Sequence, residues 1–209
     1  MIDILYSDKY MIAAIKPAGI ISEANGRDGF PDLLTQELLE AQGKSVTLYP
    51  VHRLDKETAG IMVYALSSEA AAILSRDITD EKWEKTYLAR LCGMPQKEAD
   101  TLCDLLYYDR ARSKSFVVQR ERKGVKKAVL HYTVEAVEGG YSTVRVRLET
   151  GRTHQIRVQF ASRGLPLAGD RRYGAPASSG KSLALCACEL RLLHPKTREA
   201  LEFKIEEEI

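Results

Sequence analysis

The segment LHYTVEAVEGGYSTVRVRLE, Leu130 to Glu149, restricts the possible folds more than any other part of the chain. Two runs of alternating apolar and polar residues flank Gly139-Gly140, which is the pattern of an antiparallel hairpin. In the second run Val144, Val146 and Leu148 point one way and Arg145 and Arg147 the other, so one face joins a core and the opposite face is basic. EKTYLARL alternates in the same manner and puts Tyr87, Ala89 and Leu91 on one side. The stretch from Ile61 to Leu66 is apolar on both faces, as in a strand covered on both sides.

Other segments read as short strands and helices. IDILYSDKYMIAAIKPAG gives two strands about a Ser7-Asp8 turn, stopped by Pro17 and Gly19. A helix follows, with Pro31 in its first turn, Leu33, Leu34, Leu38 and Ala41 at helical spacing, and Gly43 at its end. Ser67 or Ser68 caps a second helix lined by Ala70, Ile73, Leu74 and Ile78. Thr153 is the expected cap of a third, which carries Ile156, Arg157, Phe160 and Ala161 and ends near Gly164. Strands and helices alternate irregularly, so the expected class is mixed α/β or α+β with a largely antiparallel sheet.

The 209 residues, 44% hydrophobic and 29% charged, suit one sizeable core, so one domain is expected, with room for two lobes. No apolar run approaches the ~20 residues that cross a bilayer, and MIDILYSDKY lacks the basic flank and apolar centre of a signal peptide; a cytoplasmic protein is expected. Cys92, Cys103, Cys186 and Cys188 follow no disulfide or zinc-ribbon spacing, and Cys186 and Cys188 are expected to share a face as small core residues. The four histidines, His52, His131, His154 and His194, show no metal-ligand spacing and suit hydrogen-bonded structural roles. No phosphate-cradling glycine loop is found; the GGY at 139 to 141 is a hairpin turn.

The net charge of +2 hides an uneven distribution. Arg110 to Arg172 holds fifteen Lys and Arg against five Asp and Glu, so the rest of the chain is acidic. RARSKSFVVQRERKGVKK, Arg110 to Lys127, has eight basic residues and one acid. A short charged run is as readily a solvated face. An asymmetry on this scale favours a polyanionic partner, and nucleic acid over membrane because no amphipathic anchor helix accompanies it.

VHRLDKETAG, Val51 to Gly60, sets Asp55 between Arg53 and Lys56 immediately before the doubly apolar strand. A carboxylate there stands at the edge of the core, where it can be held in a cleft. About a hundred residues later comes GRTHQIRVQFASRGLPLAGDRRYG. Together with KPAG, KTYLARL, KKAVLHYTV and the closing LHP, in that order, these segments resemble the RluA-type RNA pseudouridine synthases over nearly the whole chain. The chain departs from the family at Ala59, where Ser is usual, at Ile15, often polar, and at Leu165, commonly His. None of these changes removes a charge from the proposed centre. The small N-terminal RNA-binding domain of many members is not seen in this sequence.

The resemblance implies a pseudouridine synthase fold across residues 1–209, a single catalytic domain with a central, mixed, mainly antiparallel sheet, flanking helices and a basic catalytic cleft. It implies an isomerase that converts a uridine of structured RNA, ribosomal or transfer, to pseudouridine by exchanging the N1–C1′ bond for C5–C1′. No atoms enter or leave, so no cofactor is expected; a monomer is expected, with RNA as partner. Asp55 matches the catalytic aspartate, Arg157 the arginine that pairs with it, and Tyr87 the active-site tyrosine, with Ile156 as an apolar wall. A glycosidic centre needs such a carboxylate, and a half-buried one needs a cation to stay ionised. Arg53 is the implied assistant in extruding the nucleotide, while Lys56, Arg120, Arg122, Lys126 and Lys127 suit phosphates. Two other classes compete: a catalytically silent RNA-binding protein of the same fold, which would not require Asp55, Tyr87 and Arg157 together, and a nucleoside or glycoside hydrolase, which would release free base or sugar.

Overall fold

The structure, a computed structural model, describes residues 2–43 and 45–206. In chain order the elements are β1 (Ile4–Ser7), β2 (Met11–Lys16), α1 (Phe30–Gln42), β3 (Tyr49–Pro50), β4 (Ala59–Ala65), α2 (Ser68–Thr79), β5 (Glu84–Cys92), β6 (Ala99–Asp109), β7 (Lys114–Val118), β8 (Val125–Glu138), β9 (Tyr141–Leu148), α3 (Gln155–Ala161), β10 (Leu185–Leu193) and β11 (Ala200–Lys204). The described residues fall into two compact units, 2–84 with 187–206, and 85–186.

In the first unit the strand order is β1-β2-β4-β10, with β11 paired to β10 and β3 to β4. The turn expected at Ser7-Asp8 is made by Asp8, whose Oδ1 accepts from the backbone N–H groups of Tyr10 (2.8 Å) and Met11 (2.9 Å). β2 then runs antiparallel to β4, from Met11 opposite Ala65 to Lys16 opposite Gly60. β4 is buried on both faces, as its sequence requires, and Met11, Ile61, Val63, Leu74, Trp83 and Phe203 form the core around it. Ser67 caps α2 by accepting from Ala70 N–H at 3.1 Å, and α1 has Pro31 in its first turn and Gly43 at its end with φ 65°. Leu34 and Leu38 of α1 are buried, whereas Ala41 is exposed. The histidines of this unit are hydrogen-bonded: His52 Nε2 accepts from Val63 N–H, and His194 Nε2 lies 2.9 Å from Asp8.

The second unit is an antiparallel sheet in the order β5-β9-β8-β6-β7. The Gly139-Gly140 hairpin forms as expected, closing at Glu138 opposite Tyr141, with Val144 and Val146 buried and Arg147 exposed. Arg145 is ion-paired to Glu135 across the hairpin. Tyr87, Ala89 and Leu91 of β5 are buried together. β6 and β7 have no clean alternation in sequence: β6 buries only Leu102 and Leu106, and β7 only Ser115. β7 nevertheless makes a strand of the middle of the basic run.

Thr153 does not cap α3. The N-cap is His154, in the left-handed region at φ 54°, with no side-chain cap. The cause lies one residue further on: the Gln155 side chain folds back, its Oε1 accepting from Arg152 N–H (3.0 Å) and Thr150 Oγ1 (2.8 Å) and its Nε2 donating to Val129 O (3.1 Å). That buried amide ties the turn to β8 and delays the helix start. Only seven residues are helical before the chain unwinds towards Gly164.

Candidate active site

Asp55 lies half-buried in the loop that feeds β4, and the backbone on either side of it is fixed by a buried side chain. On one side, Ser22 Oγ donates to Leu54 O at 2.6 Å and accepts from Leu54 N–H at 3.0 Å. On the other, Lys16 at the end of β2 is fully buried and its Nζ donates to Lys56 O (3.3 Å), Pro17 O (2.9 Å) and Ile20 O (2.8 Å). Lys56 O also accepts from Gly19 N–H at 2.8 Å, and Asp55 O accepts from Thr58 N–H at 3.0 Å. Burial pulls the Lys16 ammonium down to about 8, against the opposing pull of Asp55 and Glu57. Three donors meeting three carbonyls fit the charged form, since a neutral amine has only two N–H bonds to give.

The loop closes on Gly60, where φ is +122°. A Cβ there would lie 2.4 Å from Ala187 O and 2.6 Å from Ala187 N, so any side chain would push two strands apart. The last letter of HRLDKETAG is thus set by the packing of β4 against β10. Arg53 extends from the other end of the loop to Glu23 at 3.0 Å, with both side chains largely exposed. Lys56 is exposed.

Tyr87, Ile156 and Arg157 lie in the second unit, and all three are buried. Tyr87 comes from β5, opposite Val146 of β9. Ile156 and Arg157 come from the first turn of α3. Arg157 binds Asp170 through two parallel hydrogen bonds, Nε to Oδ2 at 2.6 Å and Nη2 to Oδ1 at 2.8 Å, with both side chains almost fully buried. The Tyr173 ring covers the guanidinium at 5.3 Å. Tyr173 in turn accepts from Ser115 N–H at 2.8 Å, and burial pushes its hydroxyl up to about 12. The guanidinium plane is therefore set by a carboxylate and a neutral phenol ring.

Sequence reasoning assigns no role to Asp170 or Lys16. Both stand in the family motifs, LAGDRRYG and KPAG, and each carries a signal: a carboxylate directly after a Gly among apolar residues, and a lysine ending an apolar strand. Gly169 explains the first. With φ +75° and a hypothetical Cβ only 1.8 Å from Ser182 O, the chain before Asp170 admits no side chain.

Arg120, Arg122, Lys126 and Lys127 are all exposed on the second unit, the arginines before β8 and the lysines at its start. Arg122 is stacked over Tyr107 at 4.8 Å. Cys186 and Cys188 are buried, as small core residues should be. Among the described residues no group of three or more His, Cys, Asp or Glu is placed to hold a metal ion.

A family model described as RNA pseudouridylate synthase matches residues 10–162. An uncharacterized RNA pseudouridine synthase of Bacillus subtilis, YhcT, is 35% identical over 204 residues, covering 96% of this chain and 67% of that protein. The tRNA pseudouridine synthase C of Vibrio parahaemolyticus is 30% identical over 222 residues, covering 97% of this chain and 89% of that protein. Among solved structures, the human RNA Pseudouridylate Synthase Domain Containing 4 protein superposes with a TM-score of 0.80 at 24% identity, over 98% of this chain and 88% of the other; that likeness concerns the fold.

Proposed function

Because the chain belongs to the RNA pseudouridylate synthase family, isomerases that act on RNA, we propose that it converts one uridine of a structured ribosomal or transfer RNA to pseudouridine with Asp55 as the essential carboxylate. The reaction breaks N1–C1′, turns the uracil while it remains bound, and forms C5–C1′; the proton from C5 leaves to solvent and N1 gains one, so the RNA mass is unchanged. Asp55 acts on the sugar or the base. The observation that carries this assignment is the clamping of its loop: Ser22 grips Leu54 and Lys16 grips Lys56, so the carboxylate between them is held in place before substrate arrives.

In this reading Arg157 is the arginine that the family motif assigns to the catalytic carboxylate, and its bidentate bond to Asp170 fixes its direction. Tyr87 stacks on the detached uracil and Ile156 supplies an apolar wall. Arg53 enters the space left when the nucleotide is extruded, which itself costs a few kcal/mol. Its pair with Glu23 is exposed on both sides, so releasing it costs less than about 1 kcal/mol. Lys56, Arg120, Arg122, Lys126 and Lys127 hold phosphates.

The test is Asp55→Asn on RNA labelled with tritium at C5 of uridine. Tritium release should stop while RNA affinity stays within several-fold of wild type. Appreciable turnover by that variant removes Asp55 from the chemistry. Mapping pseudouridines in total RNA from a deletion strain then identifies the uridine as the position that is no longer modified.

A further inference from the structure

The second unit has a cavity of about 710 Å³ bordered by the end of β6, the start of β8 and the loop at 151–153. Its volume is within the range of ~300–1,000 Å³ usual for small-molecule sites. Four cations line it: Arg110, Lys123, Lys126 and Arg152. The acid beside them, Asp109, is already engaged by Arg112, through its backbone N–H at 3.1 Å and its Nε at 3.7 Å. Arg152 is oriented by the bond from its Nε to Lys127 O (3.0 Å). Arg110, Lys123 and Lys126 are exposed and have no ion-pair partner among the described residues. Such a cluster binds an anion of several charges more readily than a neutral ligand.

The wall also holds an aromatic platform. Tyr108 is 37% exposed, and its ring meets His154 edge-on at 6.2 Å. His154 Nδ1 is 2.9 Å from the hydroxyl of Tyr173, the same ring that covers Arg157. Tyr108 thus stands on a packed row that ends at Arg157. An exposed ring backed by a fixed partner, with cations around it, has the parts needed to stack a base and hold its phosphate.

We propose that this cavity is a separate subsite for one nucleotide flanking the target uridine, its phosphate held by Lys123, Lys126, Arg110 and Arg152 and its base stacked on Tyr108. The proposal rests on the assignment of RNA as substrate. It divides the basic run by geometry: Lys126 and Lys127 are neighbours on β8 and project to opposite sides of the strand, and Lys126 alone of the two lines the cavity.

The probe is a fluorescein-labelled ten-residue oligouridylate, titrated by anisotropy over a range of salt. Tyr108→Ala should weaken binding about tenfold, and Tyr108→Phe should leave it unchanged, because stacking needs the ring and not the hydroxyl. Lys123→Ala with Lys126→Ala should weaken binding and reduce the slope of log affinity against log salt by up to about 1.4, or 0.7 for each phosphate no longer neutralised. Lys127→Ala, which removes a phosphate contact outside the cavity, should weaken wild type and Tyr108→Ala equally, whereas Lys126→Ala should weaken Tyr108→Ala less than wild type, because both groups hold the same nucleotide. Lys123, Lys126 and Lys127 are exposed, so unchanged thermal melting is expected of their variants, and binding by Tyr108→Ala is measured well below its own melting temperature. Wild-type affinity in Tyr108→Ala, or a Lys126→Ala effect as additive with Tyr108→Ala as that of Lys127→Ala, overturns the subsite and leaves only a diffuse basic face. Failure here is distinct from failure of the catalytic assignment, which would appear as wild-type protein that binds the oligonucleotide through Tyr108 yet forms no pseudouridine in RNA from the deletion strain.

Discussion

Replacing Lys16 with Met keeps most of the buried stem and removes the ammonium that clamps the Asp55 loop. The carbonyls of Pro17, Ile20 and Lys56 are then each deprived of a donor. Lys56 O keeps its bond from Gly19 N–H, and a buried polar group left unsatisfied costs ~1–3 kcal/mol, so the other two together cost roughly 2–6 kcal/mol. Set against this is the burial of the charge itself: a fall from 10.5 to about 8 corresponds to about 3 kcal/mol at ~1.36 kcal/mol per pH unit. The variant should therefore be less stable by about 1 kcal/mol at pH 7. The sign of the pH effect follows from the same shift. Between pH 8 and 10.5 the unfolded chain still holds a proton that folded Lys16 has given up, so the Lys16 contribution to stability rises with pH across that window. The gap between wild type and Lys16→Met should widen by about 2 kcal/mol from pH 7 to pH 10. Tyrosines and other lysines titrate alike in both proteins and cancel in the difference. Urea unfolding followed by fluorescence of Trp83, the single tryptophan, which is buried in the same unit, gives both numbers. A gap that stays constant or narrows as pH rises would refute a buried, charged Lys16.

Asp170→Asn should cost about 3–5 kcal/mol in thermal or urea unfolding, because it breaks a bidentate pair that is almost wholly buried, and it should lower the turnover rate by loosening Arg157. Glu23→Gln, which breaks an exposed pair, should change stability by less than about 1 kcal/mol. Gly60→Ala should cost about 2–6 kcal/mol from positive φ and a backbone clash together, whereas Gly19→Ala, with open space around it, carries only the strain of its φ of +88°, about 1–2 kcal/mol; chemical denaturation of the two compares these directly. Tritium release from an unstructured oligonucleotide should survive exhaustive chelation with no nucleotide added; inactivation reversed by one divalent ion would contradict a mechanism built from side chains alone.

The local elements were legible because their information is contiguous. Ser67 as a helix cap, Gly43 as a helix end, the Gly139-Gly140 turn, the two-sided burial of β4 and the shared face of Tyr87, Ala89 and Leu91 all follow from periodicity and turn chemistry within a few residues. The position of Asp55 before a buried strand was equally plain, and family motifs supplied the expectation of its role. Tertiary structure alone decided the partners. Lys16 meets Lys56 O forty residues away, Ser22 meets Leu54 thirty-two away, and Arg157 meets Asp170 thirteen away. Periodicity cannot pair such residues, because each pairing depends on how separate strands and loops come to share one buried space. The same holds for α3: Thr153 had the chemistry of a cap, but Gln155 gains three hydrogen bonds to the neighbouring turn and strand, and a buried amide bonded through both its oxygen and its nitrogen outweighs a local capping preference. The alternation of Lys126 and Lys127 was likewise hidden until β8 was seen to begin at Val125, since a charged pair takes opposite sides only once the backbone beneath it is a strand.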